Sequence, residues 1–110
     1  CDVSFTSVLT VLPAVMRLLC AQGSFLALVK PQFEAARDEV GGGGVVRDAA
    51  VRLRALERVA VAFGEAGLAV RGACASPIHG AKGNHEFLLL GVRGGEPVDV
   101  DLPAMVSADA

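Results

Sequence analysis

The stretch SFLALVKP, residues 24–31, decides the fold of this chain. Residues 25–29 are apolar without the alternation of a half-exposed strand, which predicts a strand buried on both faces. Pro31 ends that strand, because proline has no N–H to give to a sheet ladder. Lys30 is therefore expected at the carboxyl edge of a buried strand, where ligands bind in open α/β sheets. A lysine shielded from water at such an edge loses its proton more easily than a surface lysine.

The composition limits the classes of protein to which the chain can belong. Its 110 residues are enough for one small domain, and its net charge of −2 excludes a uniformly basic nucleic-acid-binding surface. Hydrophobic residues make up 53% of the chain, but no apolar run approaches the roughly 18 residues of a membrane span. We therefore assign the apolar excess to a core or an interface and expect no membrane partner. The three cysteines lack paired metal-ligand spacing, which argues against a disulfide framework or a zinc site and favours a reduced, cytoplasmic setting.

The hydrophobic pattern predicts an alternation of strands and helices. Thr6 or Ser7 can cap the first helix, Asp48 can cap the second, and Gly67 can end it. The predicted elements in chain order are a strand near Val3 and Phe5, a helix from Val8 to Leu19 closing at Gly23, the strand ending at Lys30, a long connection over 31–46, a helix over 49–66, a strand over 68–75, a strand over 85–92 and a patternless segment after Gly94.

This order predicts half of a doubly wound α/β sheet. Two strand–helix units favour parallel strands. The loop before the last strand is too short for a helical crossover, so the last strand should be antiparallel to the one before it. We therefore expect three parallel strands plus an antiparallel last strand, with helices packed on the sheet. The four glycines of residues 41–44 neither follow a strand nor open a helix, so they do not match a dinucleotide-binding loop.

Five short motifs give the chain a more specific likeness. They are DVSF from Asp2, LVKPQFEA from Leu28, GGVVRD from Gly43, SPIHGAKGN from Ser76 and HEFLLL from His85. In this order, over about residues 2–90, they resemble the TlyA family, whose members are labelled both as hemolysins and as FtsJ-like ribosomal RNA 2′-O-methyltransferases. The resemblance implies the second half of a Rossmann-like methyltransferase fold. Residues 1–92 would then be the C-terminal part of an S-adenosylmethionine-dependent, FtsJ-like methyltransferase domain, and residues 93–110 a loosely ordered tail.

The resemblance also implies catalytic residues. FtsJ-like enzymes use a Lys-Asp-Lys-Glu tetrad, and the motifs match Asp2 to its aspartate, Lys30 to its second lysine and Glu86 to its glutamate. Lys30 would be the general base on the ribose 2′-hydroxyl. The first lysine, the glycine-rich cofactor loop and an S4-type RNA-binding domain would all lie upstream of Cys1, so we expect this chain alone to be inactive. Within this chain, Asp2, Val3, Ser4 and Phe5 would form one wall of the binding site for S-adenosylmethionine.

Ribosomal RNA in the ribosomal subunits is the substrate that the resemblance implies, with cytidine as the target. Arg47, Lys82 and Asn84 are the candidate RNA contacts, and no metal is implied. Structural explanations remain open for several of these residues. Lys30 could be a solvated strand-end lysine, Glu86 could form an ion pair with Lys82, Asn84 could shape a turn, and Arg47 could belong to an exposed helix face.

Two alternatives to an enzyme remain open. One is a non-catalytic domain that binds RNA or a partner, and the other is a hemolysin-like protein without methyltransferase activity. Neither predicted helix combines a strongly cationic face with a bulky apolar face, as a lytic helix would. Because the strand near Val3 lacks a neighbour on one side, we also expect self-association through that strand.

Overall fold

The computed structural model describes residues 1, 7–35, 44–79 and 83–107. Three strands form one sheet, and four helices accompany it. In chain order the elements are α1 (Val8–Leu18), β1 (Ser24–Val29), α2 (Pro31–Glu34), α3 (Ala49–Ala66), β2 (Leu68–Ala75), β3 (Phe87–Arg93) and α4 (Leu102–Ser107).

The strand order in the sheet is β1-β3-β2, and both neighbouring pairs are antiparallel. The prediction that β2 and β3 are antiparallel is confirmed. The expectation of three parallel strands is not confirmed, because the described sheet contains two antiparallel pairs. β1 and β2 run in the same direction, but β3 lies between them. The strand predicted near Val3 lies outside the described residues. The N-terminal amine of Cys1 donates a hydrogen bond to the carbonyl of Leu26 at 2.5 Å, and the carbonyl of Cys1 accepts one from the N–H of Leu28 at 2.9 Å. This pattern, in which one residue bonds to both neighbours of Ala27, is that of parallel strands.

The long helix α3 follows its predicted limits, residues 49–66, because both ends carry strong local signals. The Asp48 carboxylate accepts a hydrogen bond from the N–H of Ala50 at 2.9 Å. At the other end Gly67 adopts φ of +100°, a left-handed conformation that side chains disfavour, and β2 begins at the next residue. The buried side of α3 covers the sheet through Val51, Ala55, Leu56, Val59 and Phe63.

Helix α1 is held at both ends by side chains. Ser7 forms the predicted N-cap. Pro13 lies in the middle of the helix, past the first turn, and is exposed to solvent. At the C-terminal end the guanidinium of Arg93 donates to the carbonyls of Met16 at 2.7 Å and Leu19 at 2.6 Å, which satisfies acceptors that every helix end leaves open.

The sheet is covered on one face by the described helices and is open on the other. Burial alternates along β1, and Leu26 is 51% exposed, so the prediction of a strand buried on both faces is wrong for the described residues. The physical reason is that the helices contribute to a single core on the face of Phe25, Ala27 and Val29. The open face carries a shallow apolar cavity of about 230 Å³ lined by Leu26, Gly72, Ala73, Cys74, Leu88 and Leu90.

The segment after β3 differs from the expected loose tail. It contains helix α4, and Val106 on that helix is 5% exposed within the main core. The short apolar stretch LPAMV, residues 102–106, is enough to dock a helix although its periodicity is too brief to predict one. No helix in the described part of the chain is long and apolar enough to cross a membrane.

Replacing Gly91 with alanine should destabilise the fold. A Cβ at this position would lie 2.9 Å from a ring carbon of Phe63 and 3.1 Å from the Cβ of Leu68. Phe63 cannot yield easily, because it is fully buried and stacks on Phe25 with ring centroids 5.6 Å apart. We expect a loss of about 1–3 kcal/mol of unfolding free energy, measured by urea denaturation. Gly72→Ala is the matched control, since a Cβ at Gly72 would meet no other atom within 4 Å; equal midpoints for the two variants would contradict the packing described.

Candidate active site

Lys30 and Glu86 lie at the same edge of the sheet. Val29 pairs with Phe87 in the last registered position of β1 and β3. Lys30 follows Val29 and Glu86 precedes Phe87, so both lie one step beyond that pair at the same edge. Lys30 keeps an extended backbone, with φ of −110° and ψ of 100°, and is half-buried. Two of the three predicted catalytic positions are thus brought to neighbouring strand ends by the antiparallel register.

Glu86 is a buried carboxylate with a defined partner. Its side chain is 6% exposed, and Oε2 accepts a hydrogen bond from Nε2 of Gln32 at 3.2 Å. Its backbone carbonyl accepts from the N–H of Ser76 at 2.8 Å, which extends the β2–β3 ladder by one step. A buried charge is tolerated only where hydrogen-bond donors surround it. Lys82, the alternative partner considered from sequence, lies outside the described residues.

The turn after Lys30 is a short helix, α2, rather than an irregular loop. Pro31 occupies its first position, where a missing N–H costs nothing. The N–H of Phe33 donates to the carbonyl of Lys30 at 2.9 Å, and the N–H of Ala35 donates to the carbonyl of Pro31 at 2.8 Å. These bonds fix the backbone that follows Lys30 and thereby the orientation of Gln32 within α2.

Gln32 and Glu34 are site residues to which the sequence analysis assigned no role. Both lie in the motif LVKPQFEA, but a polar residue after proline carries no periodic signal. Only the fold shows that each is bonded to a residue far away in the chain, at Glu86 and at Ser7 respectively. The other amide atom of Gln32, Oε1, is buried and has no hydrogen-bond partner among the described residues.

Asn84 ties together two loops beside this edge. It is 2% exposed, its Oδ1 accepts from the N–H of Val46 at 2.9 Å, and its Nδ2 donates to the carbonyl of Gly44 at 2.9 Å. Arg47, the residue that follows Val46, is exposed. Asn84 therefore holds the segment that carries Arg47, and its own amide is turned toward the backbone rather than toward solvent.

The remaining predicted site residues, Asp2, Val3, Ser4, Phe5 and Lys82, lie outside the described part of the chain. At the sheet edge the described side chains are a cation, an amide and a carboxylate. Such groups can hydrogen-bond a hydroxyl-bearing molecule, because a hydroxyl both donates and accepts. They do not form a cradle for a sulfonium donor such as S-adenosylmethionine, and the wall predicted for that donor, residues 2–5, lies outside the described residues.

A larger cavity, of about 420 Å³, lies at the opposite end of the sheet. It is lined where α3 meets the start of β2, by Ala60, Gly64, Gly67, Leu68, Ala69, Val70, Gly95 and Pro97. None of these residues has a titratable or nucleophilic side chain. This cavity therefore offers no group for acid–base or nucleophilic catalysis, and the described titratable residues predicted as catalytic, Lys30 and Glu86, lie at the other end of the sheet.

Replacing Gln32 with glutamate tests the contact with Glu86. The change would put two carboxylates within hydrogen-bond distance, and both cannot be ionised there without repulsion. We expect the thermal midpoint of Gln32→Glu to fall below that of wild type at neutral pH, because the change replaces a hydrogen bond with repulsion between two carboxylates. The same substitution at the exposed Gln22 is the control and should leave the midpoint unchanged. An unchanged midpoint for Gln32→Glu would show that the two side chains are not in contact.

Three characterised or provisionally named proteins resemble the chain in sequence. YqxC of Bacillus subtilis, provisionally named an rRNA methyltransferase, is 46% identical over 88 residues, which are 80% of this chain and 31% of that protein. The 16S/23S rRNA (cytidine-2′-O)-methyltransferase TlyA of Mycobacterium tuberculosis is 43% identical over 88 residues, 80% of this chain and 33% of that protein. Hemolysin A of Brachyspira hyodysenteriae is 38% identical over 87 residues, 79% of this chain and 36% of that protein. The chain thus spans about a third of the length of these relatives.

Solved structures share the fold. A Streptococcus thermophilus protein provisionally described as a hemolysin superposes with a TM-score of 0.90 at 38% sequence identity, over 96% of this chain and 39% of that one. A Lactococcus lactis protein with the same provisional description gives a TM-score of 0.88 at 36% identity, over 96% of this chain and 51% of that one. The predicted α/β class and the resemblance to the TlyA family are confirmed. The profile of FtsJ-like methyltransferases matches residues 1–93, and this chain belongs to that family.

Proposed function

We propose that the chain is the C-terminal part of an S-adenosylmethionine-dependent rRNA (cytidine-2′-O)-methyltransferase of the TlyA kind. The observation that carries the proposal is the placement of Lys30 and Glu86 at neighbouring strand ends, in a chain of the FtsJ-like family. The name of the TlyA relative supports cytidine in 16S and 23S rRNA as the target. Because the chain spans a third of that relative, other parts of the catalytic domain would come from outside it.

Lys30 is proposed as the general base. A ribose hydroxyl is a weak nucleophile while it keeps its proton, so a neutral amine at hydrogen-bond distance must accept that proton as the oxygen gains its methyl group. S-adenosylmethionine supplies the methyl group when it is bound. Glu86, held by Gln32, would orient the Lys30 amine toward the acceptor. Asp2 is retained as the second carboxylate, and Asp2, Val3, Ser4 and Phe5 are retained as one wall of the donor site.

The proposed partner is ribosomal RNA within the ribosomal subunits, which places the activity in the cytoplasm. Arg47 is exposed beside the site and is proposed to contact phosphate. Lys82 is retained as a second RNA contact. The amide of Asn84 is buried and bonds to the backbone of Val46 and Gly44. We therefore propose that Asn84 fixes the loop that carries Arg47 and does not itself touch RNA.

Lys30→Ala and Lys30→Arg test the base together. The protein encoded by the reading frame that contains this chain is incubated with ribosomal subunits and radiolabelled S-adenosylmethionine, and 2′-O-methylation is mapped. We expect both variants to lose about 10²-fold or more in turnover, because arginine keeps the charge but cannot give up its proton. Arg17→Ala, which removes an exposed cation from α1, should leave turnover unchanged.

Retained turnover in Lys30→Arg would overturn the assignment of Lys30 as base and leave it as a cation that attracts RNA. Binding of rRNA by wild type without any transfer would instead favour the non-catalytic alternative. A further arm uses residues 1–110 alone, which we propose to be inactive; measurable transfer by them would overturn that part of the proposal.

Self-association of residues 1–110 is proposed through the strand predicted near Val3, and the open face of the described sheet offers further apolar surface for it. Leu26 on that face is 51% exposed, and burying such apolar surface favours association. We expect light scattering to show species larger than a monomer that Leu26→Lys reduces. Val61→Lys is the control, since Val61 is 60% exposed on α3. A monodisperse wild-type monomer at high concentration would exclude the proposal.

A further inference from the structure

Glu34 is a buried carboxylate that the proposed chemistry does not use. It closes α2 and is 6% exposed. Its Oε2 accepts a hydrogen bond from the N–H of Val8 at 2.8 Å, and its Oε1 accepts from the hydroxyl of Ser7. These partners are 26 and 27 residues away in the chain. Burying a carboxylate is costly unless donors compensate it, so these two hydrogen bonds are part of what stabilises Glu34 in the fold.

The carboxylate completes the cap of α1 from another element. The first N–H groups of a helix have no partner inside it, and the helix dipole favours negative charge there. The hydroxyl of Ser7 accepts from the N–H of Leu9 at 3.0 Å and donates to Glu34. Ser7 and Glu34 together thus satisfy donors at the start of α1, so this helix start is locked to the end of α2.

The backbone of Glu34 is locked as well. The guanidinium of Arg58 on α3 donates to the carbonyl of Glu34. Between Lys30 and Glu34 the chain is one short helical turn, closed by the bond from Phe33 N–H to the Lys30 carbonyl at 2.9 Å. The turn that begins at Lys30 is therefore fixed at its far end to both α1 and α3.

We propose that Glu34 is a positioning residue for Lys30. Its carboxylate holds the turn that follows Lys30 against the start of α1, and its backbone carbonyl holds the same turn against Arg58 on α3. Glu34 would thus set the position of Lys30 relative to these two helices. This inference rests on the proposed function for its catalytic consequence, but the positioning of the Lys30 side chain can be measured without any activity.

Glu34→Gln is the informative variant, because it keeps the size of the side chain and removes the charge. In the full methyltransferase we expect kcat to fall about 10- to 100-fold, since small misplacements of a reacting group cost up to about 10²-fold, with KM for rRNA changed less than about twofold. Glu57→Gln makes the same change at an exposed position of α3 and should leave both constants unchanged. Val59→Ala, in the core of α3, is a second control that lowers stability without touching the turn.

The activity-independent arm follows the amine of Lys30, one of the two lysines among these 110 residues. Reductive methylation of the full methyltransferase with ¹³C-formaldehyde labels its lysine and N-terminal amines, and Lys30→Arg and Lys82→Arg assign the NMR signals of these two lysines. We expect Glu34→Gln to shift or broaden the Lys30 signal and to leave the Lys82 signal in place, whereas Val59→Ala and Glu57→Gln should move neither.

The outcomes separate the two proposals. An unchanged Lys30 signal in Glu34→Gln overturns the positioning role, whatever the activity. The role is also overturned if kcat falls no further than in a Val59→Ala protein of equal thermal midpoint. Absence of transfer by wild type overturns the proposed function, while the NMR arm still decides whether Glu34 holds Lys30.

Discussion

Phe87 is paired on both sides, with Val29 on β1 and with Ala75 on β2, and the geometry of the site depends on this double register. Because side chains alternate along a strand, a shift of one residue in either pairing would move the buried set of β3 to the open face. Phe87 is 1% exposed and Leu89 is fully buried, so such a shift would carry both out of the core. The packing of the core therefore fixes the register, and the register places Lys30 and Glu86 one residue beyond the pair of Val29 and Phe87.

The buried polar side chains of the described residues gather near that edge. They are Glu34, Asn84 and Glu86, and each follows β1 or precedes β3 within a few residues. Each is bonded to a segment distant in sequence, at Val8, Val46 and Gln32 respectively. Buried polar groups add specificity at a cost in desolvation, so they are retained where a particular arrangement matters. At the other end of the sheet, with the larger cavity, no described polar side chain is buried, and Arg93 donates to the carbonyls at the end of α1.

Local signals were sufficient to predict some elements and insufficient for others. Helix α3 and strand β2 were predicted to their terminal residues because Asp48 and Gly67 mark their limits within the chain itself. The position of β3 between β1 and β2 could not be predicted, since strand order depends on contacts between distant segments. The exposure of Leu26 was missed for a related reason: an apolar run predicts burial but does not say which part of a protein covers it. Lys30 was predicted from the end of an apolar run and Glu86 from a motif, whereas the contact of Glu34 with Ser7 appears only in the folded chain.

At the sheet edge that carries Lys30 and Glu86, the described residues leave one hydrogen-bond acceptor of Gln32 unsatisfied. Its amide nitrogen bonds to Glu86 while its buried Oε1 has no partner among them. Reversing the amide would not relieve this, because the oxygen would then face a carboxylate. An unmet buried acceptor costs about 1–3 kcal/mol, a large share of the stability of a small domain. Such a cost is tolerated where another group supplies a donor. The part of this chain that matches the relatives is about a third of their length. Because Oε1 is buried, we expect its donor to come from protein segments outside the described residues rather than from solvent.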